Sequence, residues 1–118
     1  MSQDASSLGK TTVAIDVLET IARLTTLSVP GVVRLSRVQA PKSKGIFHRS
    51  HDAQGVLLEV EDDTIFTDLY VVLQSNTNIR ELCRTIQAEV ARALSDMIGL
   101  QVGAVNIHVE DIEYLDET

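Results

Sequence analysis

The chain of 118 residues holds one cysteine, Cys83, two prolines, no tryptophan and only four aromatic side chains. A lone cysteine excludes an intramolecular disulfide and a cysteine-built zinc cluster, and it suits a reducing compartment. Phe47, Phe66, Tyr70 and Tyr114 are too few to build a stacking platform for single-stranded nucleic acid. No run approaches the roughly 20 apolar residues of a membrane-spanning helix. The opening MSQDASSLGK lacks the apolar core of a signal peptide. These absences point to a cytoplasmic protein with no direct membrane span, whose membrane association, if it has one, runs through a partner.

What the chain does have is aliphatic residues and acid. The hydrophobic fraction is 44%, so Val, Ile and Leu must build the core. One domain of this length buries roughly two-thirds of the surface its unfolded chain exposes, enough for a core without staples. The net charge is −7 and unevenly spread: residues 1–54 carry seven basic and four acidic side chains, residues 55–118 three basic and thirteen acidic. An acidic chain does not suit general nucleic-acid binding, which needs Lys and Arg on phosphates. The imbalance between halves suits head-to-tail contact between copies.

Along the chain, residues 1–8 are polar and read as a disordered tail. Lys10–Ala14 predicts a short strand. Asp16 and Glu19 have the spacing of a capping box, and Val17, Leu18, Ile21, Leu24 and Thr25 recur as a helical stripe. That helix ends near Ser28, ahead of Pro30 and Gly31. Val32–Val38 reads as a strand with Val33 and Leu35 on one face. Residues 39–54 lose all periodicity and read as a long, flexible, basic loop. Val56–Glu61 and Ile65–Leu73 alternate around the turn Glu61-Asp62-Asp63-Thr64, the strongest hairpin signal in the chain. Asn78 caps a long helix with the stripe Ile79, Leu82, Cys83, Ile86, Val90, Ala93, Leu94 and Met97, and Gly99 suits its end. Val102 to about Ile112 forms the last strand, and residues 115–118 an acidic tail.

The order is thus β-α-β-β-β-α-β, an α+β two-layer sandwich in which both helices cover one face of a mostly antiparallel sheet. The other face then carries Leu57, Glu59, Phe66, Asp68, Tyr70, Val72, Asn106 and His108, a mixture apolar enough to mark an interaction surface.

Three blocks carry a family resemblance: Val13–Ala22 followed by Val29-Pro30-Gly31-Val32; Gly55–Asp62 running into Thr67–Val72; and Asn78-Ile79 through Val90, Met97–Val102 and the close Val105-Asn106-Ile107-His108-Val109. Together, over residues 9–114, they resemble the alkaline shock (general stress, envelope stress response) family of bacteria. The resemblance implies a small cytoplasmic domain tied to envelope homeostasis, no catalytic residues and no cofactor. It also implies self-assembly and a partner that is membrane-anchored in some relatives. The 39–54 loop departs from the family pattern in being longer and more basic.

The reactive side chains converge nowhere in the sequence. His48, His51 and Asp52 have a metal-like spacing but sit in loop, without the rigid shell a metal needs. Gly9-Lys10-Thr11-Thr12 lacks the first glycine of a phosphate loop, because Asp4 holds that place. Cys83 belongs to a buried stripe and reads as core. The expectation is therefore a non-enzymatic envelope stress response protein acting by homo-oligomerisation and protein contact beneath the membrane. The alternative is a regulatory module docking on a metabolic enzyme. The residues assigned to contact are Lys42, Lys44 and Arg49, set against Glu61, Asp62 and Asp63 of a neighbour. Phe66 and Tyr70 supply burial, and His108 shares their face.

Overall fold

The computed structural model describes residues 14–37, 48–49, 54–98 and 101–114. In order these form α1 (Ile15–Leu27), β1 (Val32–Leu35), β2 (His48–Arg49), β3 (Val56–Glu61), β4 (Thr64–Gln74), α2 (Ile79–Ile98) and β5 (Gln101–Glu113). The strand expected at Lys10–Ala14 lies outside the described residues except for Ala14, whose extended backbone caps α1. Both expected tails also lie outside them.

The turn between β3 and β4 shows how local chemistry sets the register. Asp62 and Asp63 have φ of 52° and 63°. A two-residue I′ hairpin needs positive φ at both centres, and Asp tolerates it better than most residues. The turn aligns Glu61 with Thr64 and Val56 with Leu69. Val56, Leu58 and Val60 then share a face with Ile65, Thr67 and Leu69, while Leu57 and Glu59 share the opposite one with Asp68 and Phe66.

β4 is the central strand. β5 pairs with it in parallel along its whole length, Thr64–Gln74 against Gln101–Glu113. The other edge of β4 is shared: β3 takes residues 64–69, and β1 takes 71–73, both antiparallel. The two meet end to end at Tyr70, whose carbonyl accepts from the Ser36 amide and whose amide donates to the Gly55 carbonyl. Gly55 makes that junction possible. Its φ is +89°, and a Cβ there would lie 2.7 Å from the Leu35 Cβ, far inside contact distance. This explains why β1 stops at Leu35 and not at Val38 as expected: β3 already occupies the edge beyond it. A register shift between Val32 and Arg34 also breaks the expected alternation. Val32 and Leu35 pack on the core, and Arg34 turns to the other face, where it pairs with Glu113.

Within the expected loop 39–54, His48–Arg49 forms an edge strand beside Val60 and Glu59. Apart from Gln54, the rest of that segment, with Lys42 and Lys44, lies outside the described residues.

Both helices cover the face of Val56, Leu58, Ile65, Leu69, Val71 and Leu73. On α2, Leu82, Ile86, Val90 and Leu94 are buried, each contributing roughly 1.5–3 kcal/mol by leaving water. Asn78 caps this helix as expected, its Oδ1 accepting from the Glu81 amide at 3.1 Å. α1 departs from expectation twice. Asp16 is not its cap but lies in its first turn. Its buried side is Leu18, Glu19, Ala22 and Thr26, and Val17 and Leu24 of the expected stripe stand 45% and 56% exposed. The small Ala22 and Thr26, both fully buried, let the helix lie close on the sheet; the bulkier stripe would hold it away.

A candidate interaction surface on the open sheet face

The face of the sheet turned away from the helices is set by even positions of β4 and their β5 partners. Phe66 lies opposite Ala104, Asp68 opposite Asn106 and Tyr70 opposite His108. A register shift near the start of β5 inserts Gly103 between Val102 and Ala104. A Cβ at Gly103 would sit 2.5 Å from the Phe66 ring. The ring lies across the glycine backbone, in space that any side chain would take.

Asp68 organises the polar centre of the face. Its Oδ1 accepts from Asn106 Nδ2 at 3.2 Å and lies 2.9 Å from His108 Nε2. An ionised carboxylate only accepts, so His108 Nε2 carries the proton. The imidazole stacks on Tyr70 with ring centroids 4.4 Å apart and planes 12° off parallel. Stacking fixes the ring plane, and the carboxylate fixes its rotation. His108 and Asp68 are 41% and 35% exposed, so the network is wet and presented outward. Among the described residues no serine or cysteine touches this His–Asp pair.

The expected apolar part of this face is not open. Leu57 and Val72 are 4% and 1% exposed, although they point away from the helices and stand outside the helix-side core, so they are covered within the chain and offer nothing to a partner. Glu59, opposite Phe66, is engaged by its surroundings. The structure thus brings Phe66, Tyr70 and His108 of the sequence-assigned residues together on one surface. Glu61, Asp62 and Asp63 stand exposed at the hairpin tip. Arg49 lies at the β2 edge, and Lys42 and Lys44 fall outside the described residues. The Asp68–Asn106 link to His108 was not assigned from sequence. Its signal was available: a parallel pairing of the two strands places Asp68 and Tyr70 opposite Asn106 and His108, two residues apart in both.

Cys83 lies partly buried on α2, packed against the core, and burial raises its thiol pKa. That favours the unreactive thiol. No group of His, Cys, Asp and Glu among the described residues is placed to hold a metal ion; the side chains of His48 and His51 lie outside them.

Residues 3–114 match the model of the alkaline shock protein 23 family, of cell envelope-related function. The chain belongs to that family. Its relatives include YqhY of Bacillus subtilis, 27% identical over 114 residues, which are 97% of this chain and 84% of that protein. Spy1535 of Streptococcus pyogenes is 34% identical over 106 residues, 89% of this chain and 80% of that one. Among solved structures, the copper form of MamM CTD superposes with a TM-score of 0.48 at 13% identity, covering 88% of this chain and 92% of that one; so distant a match has no bearing on function. No helix among the described residues is long and apolar enough to cross a membrane.

Proposed function

We propose that this protein serves the cell envelope stress response without catalysis, by assembling with itself and with a protein partner beneath the membrane. The observation that supports this most directly is the open sheet face. A fixed Tyr70–His108 stack and the Phe66 ring flank a satisfied polar centre. Surfaces with aromatic anchors beside a hydrogen-bonded polar group are those that proteins use for contact. The exposed carboxylates of Glu61, Asp62 and Asp63 orient a neighbour more than they hold it, because exposed ion pairs contribute little, about 0–1 kcal/mol each. The basic residues Lys42, Lys44 and Arg49 provide charge of the opposite sign for that orientation.

Sedimentation velocity of the whole chain over a concentration series at low salt tests the reading. Wild type is expected to associate with rising concentration, and Tyr70→Ala with Phe66→Ala to shift the association midpoint at least tenfold upward. A wild type that stays monomeric throughout refutes self-assembly.

A further inference from the structure

We propose that α1 and the cleft beside it form a docking surface for anionic phospholipid, so that the protein touches the membrane directly as well as through a partner. Two independent observations meet here. The first is an unpartnered apolar face. Val17, Leu24 and Leu27 are exposed. At 100° per residue they fall within an arc of about 80°, opposite the side that packs on the sheet. The second is a cleft of about 310 Å³ lined by Arg23, Leu27, Arg34, Leu35, Arg37 and Gln54. Leu27 belongs to both features, so cleft and stripe share a border.

Three arginines thus line one opening on a chain of net charge −7. Arg34 is bonded to Glu113. Among the described residues Arg23 and Arg37 meet no carboxylate. Guanidinium matches phosphate oxygens in a planar, two-pronged geometry. Apolar side chains beside such a cluster are what an interfacial helix offers the boundary between headgroups and acyl chains. Phosphate for the arginines and hydrocarbon for the leucines occur together at an anionic lipid surface. Glu113 at the cleft is taken up by Arg34, and Asp111 lies across Val72 from Arg34, so Arg23 and Arg37 are the arginines left for phosphate. The hairpin carboxylates are remote. β3 separates Gln54 at the cleft from Asp62 and Asp63 at the hairpin tip by roughly 20 Å, more than two Debye lengths at physiological salt. Asp16, in the first turn of α1, is the nearby exposed carboxylate of that helix.

Co-sedimentation of the full chain with phosphatidylglycerol or phosphatidylcholine vesicles, at low and high salt, tests this. Binding to phosphatidylglycerol at low salt and not to phosphatidylcholine is expected. R23Q with R37Q should lower the partition coefficient roughly 30-fold, from about 1 kcal/mol per basic residue. V17S with L24S should weaken binding without removing its salt dependence. All four positions are on the surface, and unchanged thermal melts verify that the variants fold. No binding to phosphatidylglycerol at low salt, equal binding to both lipids, or binding indifferent to R23Q/R37Q overturns the proposal. None of these outcomes bears on self-assembly through the open sheet face.

Discussion

Thr67 sits at the centre of β4 with no exposure, and its hydroxyl has no hydrogen-bond partner. The side chains of Leu58, its β3 partner, and Val105, its β5 partner, carry no acceptor for it. A buried polar group left unmatched costs about 1–3 kcal/mol. Thr67→Val keeps the β-branched shape and removes the hydroxyl, so it should stabilise the protein by about 1 kcal/mol, read as a raised urea midpoint with an unchanged slope. At this scale the sequence was partly legible. Alternation along residues 65–73 placed Phe66, Asp68 and Tyr70 on the face opposite Ile65, Thr67 and Leu69, and the register agrees. It did not reveal that Asp68, Asn106 and His108 share hydrogen bonds, because that needs the parallel β4–β5 register, a contact some 40 residues apart in sequence.

The two helices differ in how well their faces could be read. α2 has a single apolar stripe, and of the residues expected inward Leu82, Ile86, Val90 and Leu94 are buried, while Ile79, Cys83 and Ala93 are partly so. α1 has apolar residues on two sides, so periodicity alone does not choose between them. The sheet chose the side with Ala22 and Thr26. This difference predicts an asymmetric response. Ile86→Ala should cost about 2–5 kcal/mol, as large-to-small changes in a closed core do. Leu24→Ser, although equally apolar in origin, should stay within about 0.5 kcal/mol of wild type, as surface changes do. Chemical denaturation of the two variants measures both. Among the strands, β1 illustrates a different limit. Its sequence pattern runs on to Val38, but pairing ends where β3 takes over the edge of β4, and edge competition leaves no local trace in sequence.

For the molecule as a whole, α+β class, helix placement and membership of the envelope-related family follow from sequence pattern and residue blocks, and fold and family match agree. Acidic side chains stand at both ends of the sheet: Glu61, Asp62 and Asp63 at the hairpin tip, and Asp111 and Glu113 at the far end of β5, where Glu113 pairs with Arg34 of the cleft beside α1. The open face with Phe66, Tyr70 and His108, on which the account of function depends, lies along the strands between them. Resonance-by-resonance NMR spectra of the whole chain over a concentration series locate the contact directly. The account predicts that Phe66, Tyr70, Asn106 and His108 shift or broaden first, with Ile86 and Val90 of α2 unaffected. Shifts confined to α2, or none at any concentration, would contradict it.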